Sequence, residues 1–325
     1  MLRSASPNIV SGGVRFRRSA FTRTLIIPLC PLCGSRHNQK AFFDNGCELR
    51  CCRQCGLFFV HPYPRSSKRH EEVSTGNVTG IELLDYERRY AGESLYYQRH
   101  FALIEDECRN ARSFLDVGCG TGRLLELLSV RKQLRRLGIE LNPHAAQFAR
   151  RVANCEIVQL PFEDFRTHDG FDVISMVNVF SHIPSLDAMF HALRNSLAPG
   201  GKAILRTSEM TPYVSRWNQL HWGIPDDLHF LGLNTIGFIC RKYGFEIRRH
   251  VRVPYEDELF LPSRWRQMGR HSLVNFVKHA GVGVPGALGA MKSIYRAALG
   301  ERLFVSLIVL SLSPGTNFAA RKDRI

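Results

Sequence analysis

Two pairs of cysteines and one run of glycines are the parts of this chain whose residue types and spacing can do chemistry. CPLCG at 30–34 and CRQCG at 52–56 form C-x2-C-x18-C-x2-C. That interval suits a structural zinc site, in which four thiolates close a tetrahedron and leave no open position for catalysis. Cys30, Cys33, Cys52 and Cys55 are the ligands it selects, with Gly34 and Gly56 closing the two turns so that backbone N–H groups face sulfur. Cys47 and Cys51 lie in the same stretch, and Cys51 competes with Cys52 for a ligand place; Cys52 keeps the two-residue interval. A segment this short cannot hold a core without its metal.

The second feature is FLDVGCGTG at 114–122. Phe114, Leu115 and Val117 suit a buried parallel strand that ends at Asp116, and Gly118, Gly120 and Gly122 follow at alternate positions. Glycines at that density let the backbone turn sharply and approach a ligand closely. Leu124, Leu125, Leu127 and Leu128 then supply the packing face of a helix over 123–129, completing the strand, turn and helix that open a nucleotide-binding α/β fold. A dinucleotide site requires G-x-G-x-x-G, but here Arg123 fills the third slot, which disfavours hydride chemistry. A second strand over 137–141 brings Glu140 twenty-two residues after Gly118, where its carboxylate can accept both ribose hydroxyls of an adenosine.

Over 115–122 the sequence LDVGCGTG resembles, residue for residue, the first motif of the class I S-adenosylmethionine-dependent methyltransferases. The resemblance implies a Rossmann-like α/β fold with a seven-stranded sheet, S-adenosylmethionine as cofactor, and a cofactor site made of Asp116, Gly118, Cys119, Gly120, Gly122 and Glu140. It also implies an acid and an apolar residue around the adenine in the loop QLPFEDF: Asp164 and Phe165, with Glu163 and Phe162 as the competing frame. Asn178 opens the next loop, NVFSHIP, and is counted with the cofactor residues. Related enzymes often read EH in that loop, whereas this chain has Ser181 then His182. A ribbon ending in CGL, followed by apolar residues and a proline, is similar to the front end of one branch of these enzymes.

Several elements must position these residues. Residues 1–24 carry five arginines and no acid and read as a disordered basic arm, a composition shared with mitochondrial transit peptides. The ribbon spans 25–66. A helical connector and cleft cover spans 67–110, with Leu83, Leu84, Tyr86, Tyr90, Tyr97, Phe101 and Ile104 facing inward. The methyltransferase domain spans 111–325: short strands at 155–158, 171–177 and 202–206, a turn LAPGG before the last of these, and a helical insertion at 255–300. Strand 304–311 returns antiparallel. Between 207 and 234, Trp217, His221, Trp222, Asp226, Asp227, His229 and Phe230 crowd a loop over the strand ends, where the methyl acceptor should lie.

Lys and Arg exceed Asp and Glu, 44 against 29, so the molecule draws anions. The best apolar run, 303–312, falls short of the ~18 residues of a membrane span. Six of the ten cysteines lie between 30 and 55, which favours metal in a reducing, cytoplasmic compartment over disulfides. The expected function is methyl transfer to a small or carrier-linked, anionic metabolite, with His182 or His229 as the base where the acceptor needs deprotonation. The basic runs 131–136 and 248–252 motivate a second reading as an RNA methyltransferase, which the ribbon's lack of basic-aromatic interleaving disfavours. A third is a non-catalytic adaptor that keeps the fold.

Overall fold

The computed structural model describes residues 28–44, 46–63, 90, 101–210, 227–232, 234–254 and 303–314. The basic arm at 1–24, Leu83, Leu84, Tyr86, Tyr97, Trp217, His221, Trp222, Asp226 and the insertion at 255–300 lie outside these residues.

Among the described residues the strands are β1 (Asn38–Asp44), β2 (Cys47–Cys52), β3 (Phe58–His61), β4 (Ser113–Val117), β5 (Arg135–Ile139), β6 (Glu156–Val158), β7 (Phe171–Val177), β8 (Leu197–Met210), β9 (His229–Phe230), β10 (Phe245–Pro254) and β11 (Leu303–Leu312). The helices are α1 (Arg123–Leu127), α2 (Pro143–Ala153), α3 (Leu186–Ser196) and α4 (Thr235–Tyr243), and residues 101–107, at the end of the expected connector, are helical as well. No described helix is long and apolar enough to cross a membrane.

Seven strands form one sheet in the order β10-β11-β8-β7-β4-β5-β6. β4 through β8 are mutually parallel, and β11 lies antiparallel between β8 and β10. This is the Rossmann-like methyltransferase sheet expected from the motif. Side chains alternate across it: Leu115, Val117, Ile174, Met176 and Leu205 pack towards α3 and α4, and Phe114, Val173, Val177 and Ile204 towards α1 and α2. Burial on both faces explains why these strands read as continuous apolar runs.

The chain order reverses at β4, which has β5 on one side and β7 on the other. In open α/β sheets such a switch point leaves a crevice at the carboxyl ends of the strands. Both helices around it are capped as their sequences dictate. Asn142 accepts from the N–H groups of His144 and Ala145 at 2.9 and 3.0 Å, with Pro143 in the first turn of α2, and Ser185 accepts from Ala188 to start α3.

Three elements depart from expectation. The LAPGG turn is absorbed into β8: the pairing with β7 slips between Phe171↔Leu197 and Val173↔Lys202, so 198–201 bulge while the strand continues to Met210. Residues 229–230 are strand rather than loop. They pair antiparallel with β3, so the small sheet runs β1-β2-β3-β9 and draws its last strand from the methyltransferase domain. The ribbon also shares the main core, since Leu32, Leu57 and Phe59 belong to the same cluster as Phe180, Leu186 and Phe190.

Candidate active site and metal centre

The glycine turn is held from below and from one side. Gly118 and Cys119 both donate their N–H to the Ile139 carbonyl, at 2.7 and 3.0 Å, which ties the end of β4 to the end of β5. Glu140 clamps the turn with both carboxylate oxygens: Oε2 accepts the Gly120 N–H and Oε1 the Asn142 N–H, each at 2.9 Å. The predicted ribose acid thus stands at the glycine turn. Gly118 and Gly120 have φ of 68° and 54°, in the left-handed region that favours glycine. Gly118 is exposed, and a Cβ there would collide with Val179 Cγ2, so the loop after β7 packs directly on the turn. A Cβ on Gly122 would press into Ala149 of α2 at 2.9 Å.

The other predicted cofactor residues divide by burial. Asp116 is buried and accepts from the Ser175 hydroxyl at 2.6 Å, a contact that fixes β4 against β7 below the turn. Cys119 is buried too, and desolvation holds its thiol well above its usual range, so only its backbone is available to a ligand. Asp164 is exposed at the end of a single helical turn, Phe162–Asp164, and Phe165 is half-buried against Phe171. Phe162 belongs to the core, which favours the Asp164 and Phe165 frame over its competitor. Asn178 has φ of 58° and is exposed at the end of β7, where its side-chain oxygen accepts from Arg206.

The structure separates the two predicted histidines. His182 ends the turn Phe180–His182 and is partly exposed, with Nδ1 3.6 Å from Asp227 Oδ1. Ser181 donates to the same Asp227 oxygen at 2.5 Å. An acid therefore faces His182 from 45 residues further along the chain, a residue the sequence reading placed in the crowded loop but not in the site. No local signal could have found it, because the partnership depends on the Leu228 N–H reaching the Ser181 carbonyl at 2.8 Å.

The expectation for His229 is corrected. It lies in β9, has no exposed surface, and presents Nε2 to the Phe180 carbonyl and Nδ1 to the Tyr63 hydroxyl at 3.1 Å. Burial pushes its pKa down to about 3. A carbonyl only accepts, so the neutral ring carries its proton on Nε2. With both nitrogens engaged and no route to a substrate, it braces the fold.

In the ribbon, Cys30, Cys33, Cys52 and Cys55 bring their sulfur atoms within 4.8 Å of one another, and Cys30–Cys55 and Cys33–Cys52 stand at 3.5 Å. A tetrahedral zinc with bonds of 2.3 Å needs sulfurs about 3.8 Å apart, so the donor set and spacing fit. Cys30 is lowered to about 6 by the Cys55 thiol beside it, while burial raises Cys33 to about 12. Clustered thiols ionise unequally without a cation, and a divalent metal resolves this. Gly34 and Gly56 donate their own N–H to the Cys30 and Cys52 carbonyls, so the expectation that they face sulfur is corrected; the N–H groups at sulfur include those of Ser35 and Leu57. Cys51 points to the other face of β2 and packs with the hairpin, leaving Cys52 in the cluster.

Residues 86–250, half of the chain, match the family described as "Methyltransferase domain". A ubiquinone biosynthesis O-methyltransferase of Nitrosococcus oceani is 27% identical over 202 residues, covering 57% of this chain and 80% of the relative. Another, of Neisseria meningitidis serogroup C, is 28% identical over 150 residues, covering 41% of this chain and 63% of the relative. The solved geranyl diphosphate C-methyltransferase of Streptomyces coelicolor A3(2) aligns at a TM-score of 0.45 and 17% identity, over 62% of this chain and 72% of that one. Coclaurine N-methyltransferase aligns at 0.45 and 14%, over 65% and 71%. The matched span contains the glycine turn, Glu140 and the loop of His182, and the chain belongs to the methyltransferase domain family as a class I S-adenosylmethionine-dependent methyltransferase.

Proposed function

We propose that this enzyme transfers a methyl group to a hydroxyl oxygen, or to a comparably acidic position, of a small or carrier-linked anionic metabolite, with His182 as the base. The observation that carries this reading is the His182–Asp227 pair, partly exposed at the carboxyl end of β7, on the loop that packs against Gly118. S-adenosylmethionine, when bound, supplies an electrophilic methyl and a thioether leaving group. Gly118, Gly120 and Glu140 hold the nucleoside in this reading, with Asp164 and Phe165 at the adenine and Asn178 at the mouth. His182 takes the acceptor's proton as the new bond forms, and Asp227 stabilises the resulting imidazolium. The relatives named O-methyltransferases support an oxygen acceptor, and the net charge of +15 supports an anionic one.

The division into ribbon (25–66), connector and cover (67–110) and transferase (111–325) serves this scheme, with zinc in the four-cysteine cluster as a structural ion. The test is methyl transfer from labelled cofactor into a metabolite extract. His182→Asn should lose about 100-fold or more in labelling rate, the usual worth of a general base, while cofactor affinity by calorimetry is retained. Labelling at the wild-type rate would remove His182 from the mechanism.

A further inference from the structure

We infer that Tyr63 is a positioning residue for the turn that carries His182, and that through it the cysteine ribbon sets the geometry on the acceptor side of the cleft. This rests on the reading of His182 as the base. Tyr63 follows the last ribbon strand, yet its hydroxyl lies 2.9 Å from the Pro184 carbonyl, 121 residues on, and 3.1 Å from His229 Nδ1. The neutral His229 donates from Nε2 to the Phe180 carbonyl and meets the Phe180 ring edge-on at 4.6 Å between centroids. Tyr63 therefore reaches both ends of one short turn: Pro184 directly, and Phe180 by way of His229. His182 lies between those two anchors.

Asp227 is fixed to the same turn through Ser181, whose hydroxyl donates to the carboxylate and whose carbonyl accepts the Leu228 N–H. The distance from His182 to its carboxylate is thus set by anchors on both strands of the junction. The metal end of the ribbon is linked to them without a flexible joint. Cys52 closes β2 and donates to the Leu57 carbonyl at 2.8 Å, β3 follows at once, and its Phe59 pairs with His229 while the Val60 N–H reaches the Leu228 carbonyl at 2.9 Å.

The hydroxyl has one hydrogen and two acceptors, the Pro184 oxygen and Nδ1 of the neutral imidazole. That single hydrogen is shared between them, so removing the hydroxyl withdraws the one donor that serves both and lets 180–184 relax away from Asp227. The His182 ring would then lose its close approach to the Asp227 carboxylate, a change its own resonances report.

The experiment reads the ring resonances of 15N-histidine-labelled full-length protein at one fixed pH, with His182 assigned by its loss in His182→Asn. Asp227→Asn sets the scale by displacing the His182 resonances. Tyr63→Phe should displace them in the same direction and by less, with metal content and cofactor affinity unchanged. If Tyr63→Phe does not fold, His229→Gln removes the Nδ1 acceptor from the same chain and should displace the His182 resonances in the same direction. The proposal is overturned if Asp227→Asn displaces the His182 resonances while folded Tyr63→Phe, or His229→Gln, leaves them where they are. Failure of His182→Asn to slow labelling would instead sink the base assignment and leave the ribbon linkage standing.

Discussion

Acid should destabilise this protein through His229, by an amount its burial sets. The ring has a pKa of about 3 in the fold against 6.5 as the ordinary value. The folded state refuses a proton that the unfolded chain accepts, so His229 contributes full stability above pH 6.5 and loses it as pH falls towards 3. Between pH 7 and pH 5 the loss is about 2 kcal/mol, and the whole difference is about 5 kcal/mol. In a domain of this size 2 kcal/mol lowers the melting temperature by about 4–8 °C.

His229→Gln provides the comparison, because its amide can still donate to the Phe180 carbonyl but cannot be protonated. It should cost about 1 kcal/mol at neutral pH for the lost Tyr63 contact and be spared the acid loss, so the two melting curves should cross near pH 6. Contributions of other groups are common to both proteins and cancel in the difference. Parallel curves from pH 8 to pH 5 would refute the argument, since His229 would then be open to water or already charged.

Glu140 carries two separable roles. Glu140→Ala removes carboxylate bonds to the Gly120 and Asn142 N–H groups and should lower stability by about 2–3 kcal/mol in chemical denaturation, and calorimetry should find cofactor binding weakened as well. Lost stability with unchanged affinity would keep the clamp and reject the ribose contact. Metal analysis should find about one zinc per chain. Because the ribbon shares the main core and lends β3 to β9, chelation or Cys33→Ser should lower the single melting transition of the whole protein. A separate early transition for the ribbon, with the main one unmoved, would contradict that coupling.

Local patterns were enough wherever a function is carried by neighbours in sequence. The C-x2-C spacing, the alternate glycines, the acid at the end of the second strand, Pro143 in the first turn of α2 and the apolar strands all express constraints that act within a few residues: ligand reach, backbone φ, cap geometry and burial on both faces. Chain order also implied the antiparallel return of β11, through the family resemblance. The β8 bulge was missed because LAPGG reads as a turn, and only its pairing with β7 makes it part of a strand.

By itself, then, the sequence determined the class of enzyme, the glycine turn and the four cysteines that cluster. Tertiary structure alone decided which histidine is buried and which is left partly exposed. His182 and His229 look alike in composition and neighbourhood, and they differ because β9 pairs with the ribbon and buries one ring, while Asp227 comes from a distant segment to face the other. A side chain's protonation and reach depend on what is folded over it, and these contacts join residues 45 to 166 positions apart, beyond any pattern local to either end.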